Sequence, residues 1–277
     1  MSKTINYDSE ARRIMSYAVF GVITLTLIYR FLSHSLLSQL EEPVLKDPYV
    51  DITYWIFHLA HIPELITGSF WLSLGFDLAL ITFAVMSCYA HRKTIWPILF
   101  GIFYLTYMIT YNSFSCHHTH CMAGIVLISI PFWFKDNKAF SLLWEGVRFY
   151  TLFIYSTAFL WKLFRGSLFH AEQGFSIMLN ESTSYLLLEP KTWRSRLYWN
   201  IIEDPNFAHQ LIIAGALVQG VFLIGFFTRK LDWLWVILPI IFQSMTYLLF
   251  HVMIYELLIL SLVFLPWHKI REQVGRQ

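Results

Sequence analysis

A short polar stretch, Ser113–Cys121, divides two apolar runs of this chain and has the sequence SFSCHHTHC. Its nine residues include three histidines and two cysteines. Polar and ionisable groups are costly inside a membrane, so their presence there is often linked to function. We therefore expect Ser113–Cys121 to belong to a site at one end of a bundle of apolar helices.

The amino-acid composition is that of a membrane protein. Of the 277 residues, 57% are hydrophobic and only 14% are charged, whereas soluble domains carry about 25% charged residues. Met1–Glu10 is polar and the apolar run after it is too long for a cleavable signal peptide, so we expect no such signal. The sequence contains no nucleic-acid-binding motif. Membrane lipid is the expected partner, and nucleic acid is not.

The apolar runs predict an all-α, polytopic membrane helical bundle. Runs of about 17–25 apolar residues indicate membrane-spanning helices, and the chain contains about eight of them. The predicted spans are Ile14–Leu32, Ile66–Tyr89, Ile95–Thr110, Cys121–Phe134, Leu142–Phe164, Phe207–Phe227, Leu234–Leu249 and His251–Trp267. A shorter amphipathic segment, Tyr54–His61, is expected to lie at the membrane surface or to re-enter the membrane.

A long polar segment, residues 165–206, follows the fifth predicted span. It contains acidic and basic side chains together with Trp193, Tyr198 and Trp199, which are residue types typical of the lipid headgroup level. We interpret this segment as an extracytoplasmic insert within a single transmembrane domain, residues 1–277. We expect no separate soluble domain.

Basic residues are concentrated in alternate loops of the predicted topology. The clusters are Arg12/Arg13, Arg92/Lys93, Lys135/Lys138, Arg229/Lys230 and Lys269/Arg271. All of them fall on one side when eight spans are counted. Because short basic loops stay in the cytoplasm, we expect both termini to be cytoplasmic and the protein to be a multi-pass protein of the cell inner membrane.

The same topology gathers ionisable side chains at the outer side. They are His117, His118 and His120 at the start of the fourth span, Lys162 near the end of the fifth, and His251 at the start of the eighth. Lys162 has two interpretations. Either its ammonium reaches the lipid headgroups, or its amine is removed from water and acts as a general base.

The histidine-rich stretch has three interpretations. Its histidines form hydrogen bonds at the interface, they handle a substrate or its protons, or the stretch binds a metal or haem. No second pair of metal ligands is evident in the sequence. Cys116 and Cys121 face the oxidising side in this topology, so a disulfide between them is a further alternative. Two intramembrane acids, Asp77 and Glu256, are expected to be hydrogen-bonded inside the bundle, with either a packing or a functional role.

Several short segments occur in a characteristic order. They are Arg13-Ile14-Met15, the basic turn His91-Arg92-Lys93, Tyr111-Asn112 followed by His117-His118, Arg148 followed by Phe159-Leu160-Trp161-Lys162-Leu163, and Gly174-Phe175-Ser176. This ordered set resembles the integral membrane part of vitamin K-dependent γ-glutamyl carboxylase, which defines the horizontally transferred transmembrane (HTTM) family. The resemblance covers nearly the whole chain.

The resemblance implies roles for individual residues. Lys162 matches the family's active lysine, which deprotonates a reduced quinone, and His118 is the favoured match for its active-site histidine. In the family, oxygen then converts the quinol to an epoxide, and the strong base formed removes a γ-proton from glutamate so that carbon dioxide adds. The implied cofactor is reduced menaquinone or vitamin K. Further substrate contacts are expected from His117, His120, Asn112, His251 and Trp161.

One feature of the family is missing from this sequence. The carboxylase holds its protein substrate with a large C-terminal domain outside the membrane, whereas this chain ends shortly after its last predicted span. We therefore expect a protein or peptide substrate to require a partner subunit. Two other functions stay open: a non-catalytic membrane module that binds lipid or assists the maturation of an exported peptide, and a metal or haem redox membrane protein.

Overall fold

A computed structural model of the chain describes residues 7–40, 52–90, 93–112, 123–250 and 253–274. These residues form helices and contain no strand, which confirms the predicted all-α class. The helices are α1 (Ser9–Leu32), α2 (Ile52–Leu59), α3 (Ile62–Thr67), α4 (Phe70–Tyr89), α5 (Ile95–Tyr111), α6 (Gly124–Ser129), α7 (Asn137–Phe164), α8 (Ala171–Leu188), α9 (Trp193–Glu203), α10 (Pro205–Val221), α11 (Asp232–Phe250), α12 (Tyr255–Leu260) and α13 (Trp267–Val274). Short 3₁₀ helices at Leu37–Gln39, Ile130–Trp133, Phe222–Phe226 and Ser261–Phe264 adjoin them.

The chain forms two compact units. The first unit consists of Met1–Val147 together with Ile254–Gln277, and the second consists of Arg148–Met253. Helix α7 contributes its first part to the first unit and its remainder to the second. Each unit has its own buried core.

Four helical segments of the described chain are long and apolar enough to cross a membrane. They are Ser9–Gln39, Phe70–Tyr89, Pro205–Phe226 and Asp232–Phe250. They correspond to the first, second, sixth and seventh predicted spans, and they make the chain compatible with a membrane protein. The second span is shorter than predicted, because Ser69 adopts an extended conformation and separates α3 from α4.

The other four predicted spans are not both long enough and apolar enough to cross a membrane, so the total of eight stays a prediction. Helix α5 has 17 residues. The apolar segments Gly124–Trp133 and Tyr255–Phe264 are shorter still, and each is about 17 Å long against a hydrocarbon core of about 30 Å. Helix α7 has 28 residues, but its sequence includes two lysines, one arginine and one glutamate.

The first unit is built on a cluster of aromatic side chains. The ring of Phe20 on α1 lies edge-on to Phe100 on α5 and to Phe132, with ring centroids 5.6 and 5.3 Å apart. Phe132 in turn contacts Phe140 and Trp144 at the start of α7. All five side chains are buried. Rings in such edge-to-face pairs stabilise a fold by more than the burial of their apolar area alone. This cluster therefore holds α1, α5 and α7 together within the unit.

Basic residues that are distant in sequence meet at the end of the first unit where α1 begins. Arg12 donates hydrogen bonds to the carbonyl oxygens of Phe134 and Lys135, the latter at 2.6 Å. Arg271 on α13 pairs with Asp8, the N-cap of α1. Members of three predicted basic clusters therefore share one end of this unit. Which side of the membrane this end faces stays a prediction.

The polar segment that was predicted to be an insert forms the helices α8 and α9 of the second unit. With the start of α10 they enclose a small core of Met178, Leu186, Tyr198, Ile201, Ile202 and Ala208. Burial raises the pKa of the Tyr198 hydroxyl, which donates a hydrogen bond to the carbonyl oxygen of Leu248 at 3.0 Å. Tyr198, expected at the headgroup level, is thus an internal contact of the unit.

Candidate functional site

Lys162 lies in the last turn of α7, within the second unit. Its Nζ atom donates hydrogen bonds to the side-chain oxygen of Gln219 on α10, at 2.8 Å, and to the carbonyl oxygen of Ala158 one turn earlier, at 3.4 Å. Lys162 is half-buried and Gln219 is only 6% exposed. The amine therefore points between two helices and does not extend freely away from the protein.

Close packing of α7 on α10 makes this contact possible. A methyl group added at Gly220 would lie 3.1 Å from the ring of Phe159. The ring therefore packs closely against the backbone of α10, an approach that glycine favours. Phe159 and Lys162 are three residues apart on α7, so they lie on one face of that helix. The glycine thus lets Gln219, its neighbour in sequence, reach the lysine.

The partners of Lys162 are electrically neutral. Among the residues that the structure describes, no carboxylate forms an ion pair with it, and its hydrogen bonds go to one amide and one backbone carbonyl. A partly buried ion pair of this unit lies elsewhere, between Arg148 and Asp232 at 2.8 Å. About 21 Å of helix separates Arg148 from Lys162. Arg148 also donates to the carbonyl oxygen of Gly225 at 3.2 Å, which suits a structural role in joining α7 to the start of α11.

Trp161, predicted to contact the substrate, lies on a different side of α7 from Lys162. Its side chain is 60% exposed, and the guanidinium of Arg165 lies 4.4 Å from the centre of its ring. Successive residues of a helix point about 100° apart, so Trp161 faces outward while its neighbour faces α10. Its exposed ring is suited to the membrane interface.

Asn112 is the only predicted site residue of the first unit that lies in the described chain. It caps the C-terminal end of α5, where its backbone N–H donates to the carbonyl oxygen of Met108 at 3.1 Å. His117, His118, His120 and His251 lie outside the described residues, as do Cys116 and Cys121. The predicted pairing of Lys162 with His118 and the possible disulfide or metal site therefore stay predictions. No group of three potential metal ligands occurs within the described ranges.

The structure reveals a buried ionic cluster in the first unit that the sequence analysis did not single out as a whole. Arg30 on α1 pairs with Glu256 on α12 at 2.8 Å. Tyr104 donates to the same carboxylate oxygen at 2.9 Å, and Arg30 donates to the hydroxyl of Tyr107 at 2.9 Å. Glu256 is fully buried and Arg30 is 3% exposed. The expectation that Glu256 is hydrogen-bonded inside the bundle is confirmed.

A signal for this cluster was present in the sequence. Arg30 is a charged residue inside the first apolar run, and such residues are rare in spans unless they have a partner. Asp77 is likewise a charged residue in an apolar run, and it also has the expected hydrogen bonds. Its carboxylate accepts from the backbone N–H groups of Leu37 and Ser38, at 3.3 and 2.8 Å, and so caps the 3₁₀ helix at Leu37–Gln39. This geometry gives Asp77 a structural role.

Two sites thus stand out: the half-buried lysine–glutamine pair of the second unit and the buried arginine–glutamate–tyrosine cluster of the first. In the cluster, the charge of Arg30 is paired with the opposite charge of Glu256. The lysine differs, because its described partners carry no charge and it lies beside exposed apolar residues. Comparisons of the chain with protein-family models, curated proteins and solved structures yield no match.

Proposed function

We propose that this chain is a multi-pass inner-membrane protein in which Lys162 acts as a base toward a lipid-soluble quinol, in the manner of vitamin K-dependent carboxylase. The four long apolar helices support a location in the membrane. The single observation that carries the chemical part is the half-buried amine of Lys162, held by Gln219 and the carbonyl oxygen of Ala158 with no described carboxylate as its partner.

The hydrogen bonds of Lys162 suit a neutral amine. A neutral amine has two N–H donors and one lone pair, and the oxygens of Ala158 and Gln219 match the two donors. The lone pair is then left to accept a proton from a third direction. Neutral partners in a low-dielectric surrounding also give an ammonium less stabilisation than a carboxylate would. The arrangement therefore favours a group that takes up a proton during the reaction.

In the proposed step Lys162 Nζ accepts the proton of a quinol hydroxyl. One O–H bond breaks and one N–H bond forms, so the amine becomes an ammonium while the negative charge stays on the oxygen. The amide oxygen of Gln219 then accepts a hydrogen bond from the ammonium and stabilises it. A bound reduced menaquinone or vitamin K would supply the acidic hydroxyl and the reducing electrons, and dioxygen would be the oxidant that accepts those electrons and supplies the epoxide oxygen. His118 is proposed as the group that exchanges protons with Lys162.

The surroundings of Lys162 fit a lipid-soluble substrate. Phe164 is 81% exposed and Trp161 is 60% exposed, both within the same turn of α7, and the ring of Phe159 lies one turn earlier. Exposed aromatic and apolar side chains beside a polar group are typical of contact with membrane lipid. These rings put the end of α7 that carries Lys162 in contact with lipid, so a quinol carried in the bilayer could reach this end of the helix without passing through water.

The test compares Lys162→Ala with Lys191→Ala, which makes the same substitution at an exposed lysine of the same unit. The full chain is placed in nanodiscs with reduced menaquinone, and oxidised and epoxidised products are followed by chromatography. We expect Lys162→Ala to lower turnover about 10²-fold or more and Lys191→Ala to leave it unchanged. Equal turnover in both variants, or no turnover by the wild type, would contradict the proposal. Stoichiometric quinol or lipid binding without turnover would instead favour the non-catalytic membrane module.

A further inference from the structure

A basic pocket lies at the end of the first unit where α1 begins. It is a cavity of about 430 Å³ lined by Arg12 and Arg13 of α1, Thr94 before α5, and Lys135 and Asn137 at the start of α7. This volume falls within the range of about 300–1,000 Å³ that is usual for small-molecule sites. Three separate parts of the chain therefore contribute to one concave, positively charged surface.

The positive charge of the pocket is only partly neutralised. Glu10, the acidic member of the lining, approaches Arg13 at 3.6 Å, and both side chains are nearly half exposed. Arg12 is held by the side chain of Asn137 at 2.9 Å and by backbone carbonyls, which fix its position without removing its charge. Lys135 is exposed and forms no ion pair with any residue that the structure describes. The carboxylate of Asp136, next to Lys135, also acts on Arg12. Three cations, Arg12, Arg13 and Lys135, thus face two carboxylates, and a net positive charge remains for an anion.

Exposed apolar side chains adjoin each part of the lining. Phe134 precedes Lys135 and is 44% exposed, Ile95 follows Thr94 and is 49% exposed, and Tyr17 lies one turn beyond Arg13 and is 42% exposed. The pocket also lies at the first turn of a helix that is apolar enough to cross a membrane. A basic pocket above exposed apolar side chains matches a molecule with a negative headgroup and hydrocarbon tails.

We propose that this pocket binds the phosphate group of an anionic phospholipid. Arg12 and Lys135 contact the phosphate oxygens, because guanidinium and ammonium groups form strong charge-assisted hydrogen bonds with phosphate. The acyl chains lie along the exposed side chains of Tyr17, Ile95 and Phe134. Basic pockets beside membrane-spanning helices are a known type of site for anionic headgroups. The site is independent of Lys162, which belongs to the second unit.

The test uses the full chain in phosphatidylcholine nanodiscs that contain a minor fraction of spin-labelled phosphatidylglycerol, and measures the immobilised fraction of the label. Lys135→Ala is compared with Lys138→Ala, which makes the same change of charge one turn away but outside the lining. We expect Lys135→Ala to weaken phosphatidylglycerol binding about fivefold and Lys138→Ala to leave it almost unchanged. Equal losses would mean diffuse surface attraction, and no loss in either would mean no site; both results overturn the proposal.

A second variant and a competition arm separate a lipid from a soluble anion. Glu10→Gln removes the carboxylate from the lining, so we expect it to increase phosphatidylglycerol binding about fivefold. Inorganic phosphate is added to the wild type at equal ionic strength against chloride. Unchanged lipid binding supports a phospholipid site, because the acyl chains add contacts that free phosphate lacks. Displacement of the lipid by phosphate, or a decrease of binding in Glu10→Gln, would overturn it.

Discussion

Arg30 and Glu256 are 226 residues apart in sequence, yet their side chains meet at 2.8 Å inside the first unit. Both are almost completely removed from solvent. The guanidinium also lies 5.4 Å from the ring centres of Tyr107 and Tyr111. This cluster therefore joins the end of α1 to α5 and α12, three helices that are far apart in the sequence.

Breaking this pair should destabilise the first unit strongly. We expect Glu256→Gln or Arg30→Met to lower the free energy of unfolding by about 3–5 kcal/mol, because each leaves a buried charge without its counter-ion. The double variant Arg30→Met with Glu256→Leu should lose much less than the sum of the single losses, since neither charge then remains. Denaturant titration in detergent micelles measures the free energy of unfolding of the single variants and of the double variant. Additive losses would contradict the coupling.

Gln219 should control the chemistry of Lys162 through the charge of its side chain. Gln219→Glu would place a carboxylate 2.8 Å from the amine and hold it as an ammonium, so we expect quinol turnover to fall about 10²-fold. Gln219→Leu keeps the site uncharged and should lower turnover less, through lost positioning alone. Turnover of each variant in nanodiscs over a range of pH is the measurement. A glutamate variant as active as the wild type would rule out the neutral-amine mechanism.

Gly174 should tolerate no side chain. A methyl group there would lie 2.6 Å from the carbonyl oxygen of Ala208 and 2.9 Å from the backbone nitrogen of His209, and neither backbone atom can move without shifting α10. We expect Gly174→Ala to destabilise the protein by about 1–3 kcal/mol.

Gly215 on α10 offers the matched control. The atom nearest to a methyl group added there belongs to Phe242 and lies 3.8 Å away, an ordinary contact. Gly215→Ala should stabilise the helix by about 0.5–1 kcal/mol. The temperature of thermal unfolding should therefore fall below that of the wild type in Gly174→Ala and rise above it in Gly215→Ala. A shift in the same direction would show that α8 and α10 do not approach as closely as the structure indicates.

The all-helical class followed from the apolar runs, because hydrophobicity and its length are local properties of the sequence. The ends of the helices could not be predicted in the same way. The extended backbone at Ser69 and the 3₁₀ helix at Ile130–Trp133 depend on packing with other parts of the chain. Asp77 and Glu256 could be recognised as buried acids from the cost of burying a charge. Their partners could not, because the pairing of residues as distant as Arg30 and Glu256 depends on the tertiary fold.

The lysine at the candidate site was identified from sequence, but its main partner was not. Gln219 lies in an apolar run and carries no charge, so nothing in its local sequence distinguishes it from a packed polar residue. The decisive feature is the close approach at Gly220 and Phe159, which is a property of two helices together. The predicted topology singled out Lys162, whereas the amide beside it follows from the packing of α7 on α10.

Asp136 should give the protein a stability that depends on pH. Its carboxylate accepts a hydrogen bond from the backbone N–H of Ala139 at 2.8 Å, which caps the start of α7. This bond, helped by the nearby charges of Lys138 and Arg12, lowers the pKa of Asp136 below its usual value. Because the folded-state pKa is lowered, the stabilisation is present above the unfolded value of about 3.9 and is lost as the pH falls through the folded one.

Two substitutions at Asp136 separate the charge from the cap. Asparagine is about as good an N-cap as aspartate, so Asp136→Asn should keep the helix start while removing this part of the pH dependence. Asp136→Ala should lose the cap as well and unfold at a lower temperature than the wild type at neutral pH. Thermal unfolding from about pH 3 to 7, across the range in which carboxyl groups titrate, measures both effects. If Asp136→Asn loses stability below pH 4 as steeply as the wild type, other carboxylates cause the acid sensitivity and Asp136 acts only through its hydrogen bond.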